Sequence, residues 1–263
     1  MRSTANRRVS WRSLRRVRES SVEPGVPGLV FSSCPGPLLA VAGLQGGAGA
    51  SLLAYLIALT AARQSTTPIL LLDAGGPTAG IATYTRVSAT RSLPELSEHL
   101  ARGEAVTGPV WAQGESGLRV LAGAPQFTAS GEREAILRVL ADARASHGLT
   151  VADIGTLGRP AEQATLTAAT HVAWTLTASP DGVQRARSVL ERIAPLSRPE
   201  ILIARSDPLK RSVPLADLAA LADRRAAPLM LLGNLQDATC RASGELAEHA
   251  QIVLEGIGGV LHR

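Results

Sequence analysis

The chain is almost devoid of lysine. Lys210 is the only one in 263 residues, and arginine carries the rest of the positive charge. Any chemistry in which an ammonium group holds phosphate therefore has one donor to draw on, far from the N-terminal half. Cysteine is nearly as scarce. Cys34 and Cys240 are too few for a disulfide framework and show no metal-binding spacing, which fits a reducing, cytoplasmic setting. The five histidines lack close ligand pairing, so they mark no metal site. Aromatic residues make up 3% of the chain and apolar residues 45%, which implies a core built of leucine, alanine, valine and isoleucine.

Charge is missing altogether between Glu23 and Arg63. A membrane span is the first thing such a gap suggests. Gln45 and a cluster of glycines break it, however, and the helix-like part from Leu52 to Ala62 is too short to cross roughly 30 Å of hydrocarbon. The remaining charge is unevenly placed. Residues 1–23 hold seven arginines against Glu19 and Glu23, whereas residues 24–263 hold twenty basic and twenty acidic side chains. Residues 1–27 read as a basic, disordered tail and linker, and residues 28–263 as a single domain. No apolar stretch follows the arginines, so the tail is not a secretory signal. Trp11, Leu14 and Val17 cover one arc of a helical wheel, and four arginines cover another. Such a segment can lie on anionic membrane or on DNA, peripherally at the inner membrane face in the first case.

What the chain does have begins at Leu38. An apolar run ends in Gly43, Gly46, Gly47 and Gly49; Ser51 follows, and then an uncharged, helix-forming run to Ala62. Strand, glycine turn and helix in that order make a phosphate cradle, because the turn's N–H groups and the helix N-terminus converge on one point. Gln45, Gly46, Gly47, Ala48, Gly49, Ala50 and Ser51 are the candidate nucleotide-binding residues. A dinucleotide-binding turn would need G-x-G-x-x-G, and its third glycine would fall at Leu52. A plain tight turn between strand and helix is the alternative. The P-loop pattern places lysine just before the Ser/Thr; here that position is Ala50.

Downstream, apolar runs alternate with helical periodicity. Strands are expected at Pro68–Asp73, Leu118–Ala122, Leu149–Ile154, Val172–Thr177, Glu200–Ala204 and Pro228–Leu232. Helices are expected at Ser51–Arg63, Ser92–Arg102, Ser130–His147, from Ser179 past Leu190, Pro214–Asp223 and Arg241–Ala250. Ser92 and Ser179 each precede a first-turn proline and acid, which are helix-start signals. The alternation predicts an α/β fold, a mostly parallel sheet covered by helices on both faces, and with the glycine turn after its first strand that sheet looks P-loop NTPase-like. Asp73 and Asp153 end two of the buried strands, where ligands bind in such sheets, and are the catalytic candidates.

With these elements placed, the chain resembles the ParA/MinD family of deviant P-loop ATPases, in particular its CpaE/TadZ-type and septum-site branch. The family motif K-G-G-x-G-K-[ST] is matched by Gln45 to Ser51 in its glycines and hydroxyl but in neither lysine. PILLLDAGGP occupies the place of the strand ending in D-x-D-P-Q, with Asp73 as the first acid. LTVADIG matches the Walker B strand, with Asp153 as its acid, and EILIARSDP the strand that carries an adenine-contacting asparagine, here Ala204. The resemblance implies ATP or ADP with magnesium, held weakly, and Ser51 and Asp153 at the metal. It also implies a nucleotide-sandwich homodimer and protein partners belonging to a larger machine. The second family lysine holds the β- and γ-phosphates; the first reaches across the dimer. Without both, the expectation is a pseudo-ATPase positioning a secretion, pilus, conjugation or division apparatus. An active ParA-type partition ATPase is the alternative, with the lysine roles supplied by a partner or by a loop arginine, Arg86 or Arg205. A metabolic enzyme with another anionic ligand is a third reading.

Overall fold

The computed structural model describes residues 29–30, 35–74, 80–87, 91–104, 111–122, 133–207, 209, 211–233, 244–257 and 260–261. The basic tail, Cys34, Cys240, Lys210, the Gly75–Thr78 segment and the expected helix start at Ser130 lie outside the described residues.

The first long strand, β2 (Leu38–Gly43), follows a two-residue strand β1 (Leu29–Val30) and leads into helix α1 (Ala50–Gln64). Then come β3 (Ile69–Asp73), α2 (Gly80–Thr85), α3 (Leu93–Ala101), β4 (Ala112–Gln113), β5 (Arg119–Leu121), α4 (Arg133–Ser146) and β6 (Leu149–Asp153). The remainder is α5 (Pro160–Ala168), β7 (His171–Thr177), α6 (Pro180–Leu190), β8 (Glu200–Arg205), α7 (Leu215–Arg224), β9 (Leu229–Leu232), α8 (Gly244–Gly256) and β10 (Val260–Leu261). The eight-stranded sheet runs β4-β5-β3-β6-β2-β7-β8-β9. All its pairings are parallel except the edge pair β4–β5, and β1 pairs with β10 in a separate antiparallel ribbon.

The strands read as unbroken apolar runs because both faces are covered. Alternate residues of β2 divide accordingly. Leu39 and Val41 pack with α1, α2 and α8, whereas Leu38, Ala40 and Ala42 face the layer of α3 to α7. Helix α1 is buried around most of its circumference, from Leu52 and Leu53 to Ala61, between the sheet and α8. That is the physical reason why Leu38 to Ala62 carries no charge: it forms a buried strand, the glycine turn and the central helix of one core layer. Among the described residues, no helix is long and apolar enough to cross a membrane.

Most sequence-derived boundaries agree with the structure within a residue or two. Ser92 caps α3 in a full capping box with Glu95, and the Ser179 hydroxyl accepts from the Gly182 amide at the start of α6. Two elements that matter for the site carry weaker signals in the sequence: α5 has a first-turn proline and acid, Pro160 and Glu162, but no Ser or Thr cap. Helix α5 has no clear apolar stripe, and α2 is one short turn-and-a-half following glycines and a proline.

Candidate functional site

Strand β2 lies at the middle of the sheet, between β6 and β7, and the chain leaves it first toward β3 on one side and later toward β7 on the other. A crevice at the C-terminal ends of the strands is the expected ligand place in such a topology. The Gly43–Ser51 loop occupies it. Its entry is fixed by backbone bonds from the Gly43 amide to the Gly155 carbonyl (2.7 Å) and from the Leu44 amide to the Thr175 carbonyl (2.8 Å). Gly47 (φ 74°) and Gly49 (φ 89°) take left-handed backbone conformations, which a side chain would strain. Gly49 thereby turns the chain into α1, whose first turn holds no acid. The free amides and positive end of α1 thus face a cleft of about 610 Å³.

All seven predicted loop residues, Gln45 to Ser51, line this cleft. Asp153 sits just behind them, 3% exposed at the end of β6. It accepts a hydrogen bond from the Ser51 hydroxyl and another from the Gly155 amide at 3.1 Å. Burial pushes its carboxyl above the ordinary range, and the two hydrogen bonds pull it partly back. Asp73 is the register partner of Asp153 on β3 and is likewise buried; neither carboxylate lines the cleft itself, and it is Asp153 that bonds to the loop's Ser51. The backbone of α2 closes over the Ser51–Asp153 pair. A Cβ on Gly80 would lie 2.9 Å from Ser51 Oγ and 3.6 Å from Asp153 Oδ2, so a side chain there would displace the Ser51 hydroxyl.

The residues that replace the motif lysines behave differently from each other. The Gln45 side chain turns inward and donates to the Thr177 hydroxyl, leaving its buried Oε1 without a partner. Ala50 is the first residue of α1 and forms part of the cleft wall. Of the two arginines expected as substitutes, Arg205 reaches the loop: its Nη2 donates to the Gly47 carbonyl at 2.9 Å. Arg86 follows α2 and does not line the cleft. Arg159 and Glu162 do line it, and sequence reasoning misses both because an arginine and an acid flanking Pro160 read as an ordinary helix start. Glu162 is 3% exposed; it accepts the Arg159 amide at 2.9 Å, and burial, aided by the charge of Asp153, pushes its carboxyl upward.

These residues fit a magnesium-bound polyphosphate in part. Two left-handed glycines and an acid-free helix start suit phosphate oxygens, and the Ser51–Asp153 pair suits the metal. The loop itself supplies no cation. Among the described residues there is no cluster of three or more His, Cys, Asp or Glu that could hold a metal by itself, so magnesium would depend on phosphate oxygens and water.

The raised pKa of Asp153 makes a stability prediction. A carboxyl whose folded pKa lies above its unfolded value stabilises most below the unfolded pKa and loses that contribution as pH rises through the folded one. At neutral pH its buried charge is therefore a cost. Asp153→Asn keeps an acceptor for the Gly155 amide and should raise thermal stability at pH 7 by roughly 0.5–2 kcal/mol. The gain should shrink as the pH is lowered into the carboxylate range. A destabilised variant at pH 7 would contradict this account.

No protein-family profile matches the chain, and no curated protein sequence does. Solved structures do match. The ParA family ATPase from Chlorobium tepidum TLS superposes with a TM-score of 0.65 at 15% identity, over 84% of this chain and 92% of that one. A Cyanothece McdA variant in complex with ATP gives 0.63 at 16% identity, over 86% and 98%. The MinC:MinD cell division protein complex of Aquifex aeolicus gives 0.65 at 13% identity, over 83% and 96%. At these identities the likeness is one of fold, and the fold of this chain is that of the ParA- and MinD-type P-loop ATPases.

Proposed function

We propose that the protein is a ParA/MinD-like pseudo-ATPase that positions or scaffolds a larger apparatus for secretion, pilus assembly, conjugation or division. One observation carries this reading. The loop keeps its glycine geometry and its Ser51–Asp153 pair, yet Gln45 and Ala50 stand where phosphate-holding lysines belong. The retained cradle binds ATP or ADP with magnesium weakly. Turnover suffers more, because a cation supplied to the phosphoryl transition state is worth about 10³–10⁵ in rate. Similarity to a MinC:MinD complex and to McdA supports protein partners and a homodimer as the working form. In this reading the domain, residues 28–263, is cytoplasmic. The basic segment ahead of it provides attachment to anionic membrane or DNA.

A second reading, an active partition ATPase, is favoured by the same Ser51–Asp153 pair and by the presence of Arg205 at the loop. Phosphate release separates the two. Purified wild-type protein should release no more phosphate from ATP with magnesium than Asp153→Ala does. Robust release that Asp153→Ala abolishes would establish the active enzyme instead.

A further inference from the structure

The cleft contains more positive charge than its loop. Gln45 to Ser51 carry none, but the facing walls contribute Arg159 and Arg205. We propose that these two arginines are the cations of the phosphate site, with Arg159 contacting the terminal phosphate and Arg205 acting as a positioning residue for the loop. The proposal rests on the nucleotide-binding reading above and names the groups that make it work.

The geometry assigns the roles. Arg205 is the last residue of β8, and its bond to the Gly47 carbonyl ties a rigid strand end to an exposed glycine of the turn. Its Nε is buried and has no hydrogen-bond partner, so the guanidinium retains a donor inside the wall of the cleft. Arg159 stands directly before α5, and the bond from its amide to Glu162 fixes where its side chain leaves the backbone. That side chain is exposed in the cleft lining. Among the described lining residues Glu162 is the acid; it accepts the Arg159 amide, and the nearby Arg159 charge offsets part of the upward push that burial gives its carboxyl. A guanidinium presents a planar fork that matches two phosphate oxygens, a geometry that suits an approach from the side wall. The lysine pattern places the cation on the loop; here it would come from across the cleft.

Calorimetric titration of the full chain with MgATP, MgADP and adenosine tests this. Arg159→Ala should weaken MgATP binding by about tenfold to a hundredfold, the scale of one lost hydrogen bond to a charged group. MgADP should lose less and adenosine nothing. Arg159→Lys should recover a substantial part, since it restores the charge without the fork. Arg205→Ala should weaken both nucleotides through the loop, while Arg187→Ala, outside the cleft, should leave all three unchanged. Wild-type protein that takes up neither nucleotide would remove the nucleotide-binding reading itself. Wild-type protein that binds MgATP, with affinity unaltered in both cleft variants, would leave that reading standing and overturn the arginine assignment. An equal loss of adenosine binding in Arg159→Ala would overturn it too.

Discussion

Truncating Arg225 to alanine should cost about 3–5 kcal/mol of stability, the usual penalty for stranding one partner of a buried ion pair. For a chain of this size that corresponds to a fall in Tm of roughly 6–20 °C, at about 2–4 °C per kcal/mol. Arg225 follows α7, and its side chain is 4% exposed against 3% for that of Glu200. Its Nε and Nη2 grip the Glu200 carboxylate at 3.0, 3.0 and 2.7 Å, and Nη1 donates to the Ile193 carbonyl at 2.6 Å. Glu200 also accepts the Trp174 indole N–H at 2.5 Å and the Leu196 amide at 2.8 Å. The guanidinium lies 5.9 Å from the centre of the Trp174 ring. Removing Arg225 therefore leaves a buried carboxylate with only two neutral donors. Glu200→Ala should do comparable damage from the other side. Replacing both with apolar residues of similar size, Glu200→Met with Arg225→Leu, should be far less costly, because no charge is then left alone. If the double variant were as unstable as either single one, the loss would come from packing rather than from charge.

Restoring both lysines should strengthen ATP binding more than any other change to the loop. Each hydrogen bond to a charged group contributes about 1.5–3 kcal/mol, and each ~1.4 kcal/mol is tenfold in affinity. Gln45→Lys with Ala50→Lys is thus expected to gain roughly 10²-fold or more in a titration with MgATP. The two positions are not equivalent. Ala50 already forms part of the cleft wall, so a lysine there can reach a phosphate. Gln45 is turned toward Thr177 and must give up that bond before a lysine at 45 can point outward. Ala50→Lys alone should therefore deliver most of the gain within one subunit, and Gln45→Lys should matter when a second copy is present. No gain over wild type would mean that the loop is a structural turn or that α2 holds the cleft shut at Ser51.

The sequence by itself determined the fold class, because parallel strands buried on two faces must be continuous apolar runs and the helices between them carry visible caps. PILLLD and LTVADI could hardly be anything else. It also determined the backbone of the loop. Glycines at 46, 47 and 49 before a hydroxyl mark a tight turn into a helix, and Gly47 and Gly49 do take left-handed conformations there. Tertiary structure decided which side chains meet. Asp153 and Ser51 are far apart in the chain and touch only because β6 pairs with β2, whereas Asp73, equally suggestive in sequence, ends one strand further out. Arg205 reaches Gly47 across 158 positions, while Arg86, a candidate on equal terms before folding, does not line the cleft. Arg159 had no local signal at all, since an exposed arginine before a helix looks the same whether it faces solvent or a phosphate site. Local sequence encodes backbone preference and burial, but convergence of charge at one point is a property of strand order, and strand order is fixed only when the whole sheet assembles.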